Sequence, residues 1–342
     1  MTQNEITAPV SALDETGWPM NFGWARSPWF FYDPAQLWAP RRKISESDRY
    51  IIFSPTHLII LEIFDDGCLG YTGISVISLK DKKRSSHIYL RPFSLGVFDM
   101  PPGSEAGSIR VERKKSRLDF VVMEKDVRII KADFPKFGHH RSLRGELVLS
   151  GPAGAESLVT HSPWRREKSA FRYSRRSPWY TAEGVVQFGS SELVFTRGNA
   201  WGIFDWNRGV RPHTDVRYWA AACGLIDGRQ LGFSVGYGSA DSAQGTENAF
   251  FVDGKLHKLD QVTFHINPAD WLLPWHFTSN DNRLEMTFTP HQERVERNRI
   301  LVYSLARRQV CGFFSGRVIL DDGFQMEFQN ITGFAEYRKT RF

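Results

Sequence analysis

The densest run of residues with chemical capability is Gly198 to Gly224, GNAWGIFDWNRGVRPHTDVRYWAAACG. Three indoles, Trp201, Trp206 and Trp219, stand there with Asp205, Arg208, His213, Asp215 and Arg217. A carboxylate among large rings sits in a low dielectric. That environment disfavours its charge, raises its pKa and suits it to general acid chemistry. The same residues also allow a structural role, in which Asp205 pairs with Arg208 and locks a bulged strand. Alternation along a strand puts Asp205 on one face with Trp201 and Ile203, and Trp206 and Arg208 on the other with Phe204. The two charges share a cavity only through a bulge, which Gly209 tolerates.

A second cluster is SPWRREKSAFRYSRRSPWY, Ser162 to Tyr180, where basic residues alternate with aromatics. Such a pattern can track a single nucleic-acid strand. It also describes a solvated edge strand whose charges block edge-to-edge pairing. The chain carries 44 Lys and Arg against 38 Asp and Glu, a net charge of +6 over 342 residues. That excess is too mild to favour a nucleic-acid partner. No Walker loop, GxGxxG after a strand, GxSxG elbow or HExxH is present, so no cofactor is expected. The adjacent His139 and His140 would point to opposite faces of a strand and cannot chelate together, and no metal site is expected.

The elements that must position these residues are strands. Aromatics make up 14% of the chain, with 26 Phe, 11 Trp and 10 Tyr, and large rings favour β-structure. Hairpins are predicted at 117–134, turning at Glu124-Lys125-Asp126, and at 183–195 about Gly189-Ser190-Ser191. Others turn at Asp253-Gly254, Asn280-Asp281-Asn282 and Asp322-Gly323, and Arg49 to Phe64 reads as two strands broken at Ser54-Pro55-Thr56. Asp-Gly favours a type I′ turn because both central residues need positive φ. Gly70, Gly73, Gly232, Gly236 and Gly238 read as bends at barrel corners. The best helical window, Ala269 to Leu273, is very short. A single up-and-down barrel uses about eight strands, and this chain predicts well over that, so the fold class is all-β with two antiparallel barrels in tandem. The expected division is 1–196 and 197–342. The longest apolar run, Leu58 to Leu61, is far below the roughly 20 residues of a spanning helix. It therefore reads as a buried strand, and no membrane span is expected. The polar opening MTQNEITAPVSALDE lacks a basic-then-apolar leader, and Cys68, Cys223 and Cys311 are scattered. A cytoplasmic protein with three free thiols is the resulting expectation.

The opening EITAPV, then GIFDWNRGVRP, TENAFFVDGKLHKL, NRLEMTFTP, CGFFSGRV and the closing GFAEYRKTRF resemble the bacterial domain-of-unknown-function 2804 family. More distantly, the aromatic-flanked segment at Asp205 and the late GFFSGRV and GFAE are similar to the hydroxyneurosporene synthase, AttH-like and Diels–Alderase group. That likeness implies two lipocalin-like (calycin-like) barrels with a ligand cavity where they meet, and a pocket-lining role for Asp205, Trp206, Arg208 and Glu336. The sequence departs from the pattern at Arg211 and Arg217, where the group tends to carry Trp, and at Ser47-Asp48-Arg49-Tyr50, in place of a WDYY-like stretch. Extra arginines suit a ligand with an anionic head, or a chain that has lost the group's ligand.

Two functions follow. In the first, a hydrophobic small molecule of lipid, isoprenoid or polyketide type, with or without an anionic head, is bound in a barrel or between the barrels. Trp201, Trp206, Arg208, Arg211, His213, Arg217 and Trp219 would line the site. If there is catalysis, Asp205 or Glu336 would act as the acid in hydration or cyclisation. In the second, the barrels are packed solid and the protein meets an anionic partner through the basic 164–176 stretch. The residues leave open whether any reaction is catalysed, and they do not set an oligomeric state.

Overall fold

The computed structural model describes residues 3–124, 126–138, 141–300 and 303–342. Lys125, in the expected 124–126 turn, and the His139-His140 pair lie outside them. Among the described residues the chain forms two large antiparallel sheets, of thirteen and nine strands, each curled into a half-barrel. A two-stranded parallel bridge, Val10–Ser11 with Phe30–Phe31, lies outside both.

The main path of the first sheet runs Arg84–Pro92, Leu69–Ser78, His57–Asp65, Ile44–Phe53, Trp201–Val210, Phe171–Phe188, Arg141–Ser150, Val127–Phe137, Ser116–Glu124, Ser108–Arg113. The second runs Lys255–Lys258, Ala249–Val252, Arg229–Gly238, Thr214–Ile226, Gln325–Arg341, Tyr303–Ile319, Leu284–Ile300, Trp275–Ser279, Val262–His265. Trp201–Val210 thus pairs at the centre of the first sheet, and the second sheet begins at Thr214.

Local chemistry explains the turns. Asp253 and Gly254 both have positive φ, 49° and 78°, and they join Ala249–Val252 to Lys255–Lys258 as a type I′ turn requires. The Ala269 to Leu273 window is a pair of turns, and among the described residues the helix is limited to two 3₁₀ turns, Pro34–Gln36 and Arg41–Lys43. No helix among the described residues is long and apolar enough to cross a membrane.

Period-2 alternation divides the burial three ways. Tyr50, Ile52, Ile59, Leu61, Phe204 and Trp206 fill the first half-barrel. Phe233, Phe250, Trp275, Phe277, Phe288 and Phe314 fill the second. The alternate residues of the same strands, Ile51, Phe53, Ile60 and Ile203, pack instead against Trp219, Ala221, Cys223 and Phe334 of the other sheet. The sheets therefore meet face to face, and they approach closely at Gly232, where a Cβ would lie 1.8 Å from the Pro178 carbonyl oxygen. Any larger residue there would force the sheets apart.

Candidate functional site

The strands that sandwich this third core also carry charge on the same face. In the first sheet, Arg176 stands directly opposite Asp205, Asp205 opposite Arg49, and Arg49 opposite Glu62. Four adjacent strands thus present a row of alternating sign, the arrangement in which cross-strand neighbours stabilise one another. In the second sheet Trp219, Glu336 and Gln309 form the facing row.

The two rows interlock. Arg49 donates from Nε and Nη2 to Asp205 Oδ2 at 3.1 and 2.7 Å, and from Nη1 to both Glu336 oxygens at 3.0 and 3.1 Å. Arg307 donates to Glu336 Oε2 at 2.7 Å and reaches back to Glu62 Oε2 at 3.1 Å. Gln309 Nε2 adds a third donor to Glu336 at 2.9 Å. The second oxygen of Asp205 accepts from Asn207 at 3.0 Å and faces Arg176 Nε at 3.0 Å. Trp219 lies among three guanidiniums, with Arg49, Arg217 and Arg176 at 4.8, 5.3 and 5.9 Å from its ring, and donates its own Nε1 to Ser234 Oγ. Ring faces are electronegative, so this indole helps offset the cost of burying those cations.

Burial alone would raise the Asp205 carboxyl, but Arg176, Arg49 and Arg217 outweigh it and hold the group well below the usual carboxylate range. Glu336 is likewise buried and held well below that range by Arg307 and Arg49. Glu62 is lowered by Arg307 and Arg49 against its burial. A carboxylate gripped this way is ionised at neutral pH and has no proton to give. The two acids singled out in the sequence are therefore brought together, bridged by one arginine, in the wrong protonation state for acid catalysis.

The expected pairing of Asp205 with Arg208 does not form. Trp201–Val210 pairs with Ile44–Phe53 in unbroken register, and the irregularity lies across the sheet between Ser177 and Tyr180. Alternation therefore holds, and Arg208 and Trp206 point into the first half-barrel. There Arg208 donates to Asp48 Oδ1 at 2.8 Å and to the Pro101 carbonyl, and lies 4.6 Å over the Trp206 ring. Burial raises Asp48, with Arg208 opposing. Trp201 packs in the core between the sheets. Arg211 lies at the mouth, 3.6 Å over the Phe342 ring and bonded to the carbonyls of Asp66 and Arg42. His213 is exposed beside it.

At that mouth the two sheets leave a cleft of about 70 Å³, whose lining holds six arginines, among them Arg172, Arg217 and Arg338, and three carboxylates, Glu62, Asp205 and Asp215. Several polar atoms there are buried without a hydrogen-bond partner: Nε and Nη2 of Arg217, Nε1 of Trp164 and Oδ1 of Asp215. Arg217 Nε lies 3.3 Å from Glu247 Oε2 but is not aligned for a hydrogen bond. Glu247 is shared with Arg172 at 3.5 Å and Arg176 at 3.7 Å, and against its burial these arginines lower it to about 2. A groove of about 510 Å³, walled by Arg165, Arg166, His213, Val216 and Gly238, opens alongside, and Trp164 lines both spaces.

The basic 164–176 stretch is not a solvated edge. Phe171–Phe188 is a central strand, Arg175 and Arg176 are fully buried, and only Arg165, Arg166 and Lys168 of the stretch face solvent. Sequence reasoning missed Arg49, Glu62, Arg172, Arg176, Glu247 and Arg307. A usable signal was present for two of them. Arg49 alternates with Ile51 and Phe53, and Glu62 with Ile60 and Leu58, so each charge shares a face with apolar residues and must be buried and paired.

Two curled antiparallel half-barrel sheets in tandem, sealed face to face, define a tandem lipocalin-like protein. The chain belongs to the family described as "Domain of unknown function (DUF2804)", which matches residues 3–342. No curated protein matches it in sequence. Among solved structures it is similar to CghA with Sch210972, at 12% identity and a TM-score of 0.53 over 88% of this chain and 89% of that one. It is also similar to an AttH-like protein from Nitrosomonas europaea, at 12% identity and a TM-score of 0.52 over 87% and 92%. A second CghA structure gives 13% identity and 0.52 over 99% and 96%. At these identities the likeness is one of fold.

Proposed function

We propose that the protein binds a small organic anion where its two sheets meet, with the charged head in the arginine-lined cleft and the less polar body along the groove beside Trp164. The observation that carries this reading is the pair of buried donors without a hydrogen-bond acceptor, Arg217 Nη2 and Trp164 Nε1, on a lining with twice as many arginines as carboxylates. Leaving such donors unpaired costs about 1 to 3 kcal/mol each, more for a charged group. An acceptor-rich head group would recover that. The cleft's 70 Å³ is only a few times the roughly 30 Å³ share of one water, which suits a small head group such as a carboxylate. The groove, at about 510 Å³, falls in the range of roughly 300–1,000 Å³ typical of small-molecule sites. Sch210972 bound to CghA gives a precedent for a small molecule on this fold. Proton donation by Asp205 or Glu336 is not part of the proposal, because both are ionised.

A second reading is favoured by the packed half-barrels and by the complete pairing of Asp205 and Glu336: the network is a lock between sheets, and the protein has a structural or interaction role. A thermal-shift screen of small aliphatic and aromatic carboxylates against their methyl esters separates the two. Binding predicts stabilisation by acids and not by their esters, lost in Arg217→Met and weakened in Trp164→Phe. No difference between acids and esters across the screen would leave the structural reading standing.

A further inference from the structure

Among the described residues the first sheet is not closed. Its two end strands, Arg84–Pro92 and Ser108–Arg113, each pair on one side only, so a seam is left between them. An open seam in a curled sheet exposes the apolar interior to water unless something covers it. The local sequence does not cover it with bulk. Ile88, Tyr89, Val111, Leu118, Phe134 and Pro135 instead wall a pocket of about 530 Å³. His87, edge-on to Phe134 at 5.3 Å, joins the two sides.

The rim of this pocket has one sign. Arg113, Lys114, Lys115 and Lys136 line it and no Asp or Glu does. All four are exposed, and none makes an ion pair among the described residues. Arg113 folds over the opening with its guanidinium 3.5 Å from the Tyr89 ring centroid. Lys114 takes positive φ at the tip of the Arg113–Ser116 turn. Three consecutive cations on a hairpin tip repel one another, and an anion at the mouth relieves that repulsion. An apolar slot with an unpaired cationic collar is complementary to a molecule with one apolar chain and one negative end.

We propose that this seam is a second ligand site, distinct from the cleft between the sheets, and that it takes a free anionic amphiphile of the long-chain carboxylate class. The acyl chain lies along Leu118 and Phe134, and the carboxylate meets Arg113, Lys114 and Lys115. Leu118 and Phe134 are buried while Arg113, Lys114, Lys115 and Lys136 are exposed, so the apolar part of the site is deep and the charges sit at its mouth.

Displacement of dansyl-labelled undecanoate by oleate tests the proposal, with oleyl alcohol as the neutral counterpart. Oleate should displace the probe from the wild type roughly tenfold more effectively than the alcohol, and added salt should narrow that gap. Lys114→Glu with Lys115→Glu, both exposed and so compatible with the fold, should weaken oleate by roughly tenfold or more and the alcohol little. Leu118→Trp, which fills the slot, should abolish both, and Arg217→Met at the other site should change neither. Failure of oleate to displace the probe from the wild type would overturn the proposal. So would equal displacement by acid and alcohol, or co-flotation with anionic vesicles that oleate does not compete away.

Discussion

Inside the second half-barrel, Phe288 stacks on Phe314 at 4.3 Å and Trp275 meets Phe288 edge-on at 5.4 Å. Between the sheets, equally buried, Arg49 grips Asp205 and Glu336. The first region is held by contacts that are individually weak and have little direction, so it tolerates swaps that keep volume. The second is held by a few strong, directional contacts whose value depends on every member being present. Buried ion networks add little net stability over an apolar core, but losing one member leaves an uncompensated charge. The two regions therefore differ less in how much they stabilise than in how they fail. The contacts run between the two sheets, so the network also fixes how they dock.

The largest effect expected from this contrast is at the shared cation. Arg49→Met should cost about 3 to 5 kcal/mol in urea unfolding, because it removes the shared cation from two buried carboxylates at once. Met286→Leu, in the aromatic core, should cost less than about 1.5 kcal/mol. Next comes Asp205→Asn, which keeps shape and removes charge; about 3 kcal/mol is expected, and a loss no greater than that of Met286→Leu would break the comparison.

Acid should distinguish the regions as well. The folded pKa values of Asp205, Glu336, Glu62 and Glu247 lie below their unfolded values near 4, so their contribution is present above that pH and is lost as pH falls towards the folded values, about 2 for Glu247. Asp66 runs the other way. Burial raises it to about 6, so its carboxyl favours the folded state below pH 4 and loses that advantage as pH rises to about 6. Melting temperature should fall steeply below about pH 4 in the wild type and less steeply in Asp205→Asn. Parallel curves would mean that Asp205 is not among the groups responsible.

The smallest effect is chemical. Cys223 and Cys311 lie in the core between the sheets, and burial pushes both thiols up, Cys311 to about 11; Cys68 is half-buried at the mouth. Native alkylation should label Cys68 first and denatured, non-reduced protein should show all three. Early labelling of Cys223 would mean that the sheets separate readily.

Much of the architecture was legible because it is local. The Asp253-Gly254 turn announces its own geometry, and alternation assigns Asp205 and Trp206 to opposite faces without any knowledge of neighbours. The partners of Asp205 were not legible. Arg49 is 156 residues away and Glu336 is 287 residues from Arg49, and sequence shows a charge without showing what faces it. The basic 164–176 stretch misled for the same reason. Its composition is that of a solvated edge, whereas carboxylates supplied from elsewhere in the chain, Asp205 and Asp215 on strands and Glu247 in a loop, accept its buried arginines. Aromatic neighbours suggested a raised acid at Asp205, and three guanidiniums from other strands, Arg176, Arg49 and Arg217, reverse the sign.

That reversal is the central claim, and the carboxyl-carbon shifts of Asp205 and Glu336 in selectively labelled protein test it most directly. Followed from about pH 7 to 4, across the range where an ordinary Asp or Glu begins to titrate, both should stay at their ionised values throughout. A titration midpoint above about pH 5 for either residue, well over the usual carboxylate range, would contradict the account and return that residue to the role of acid.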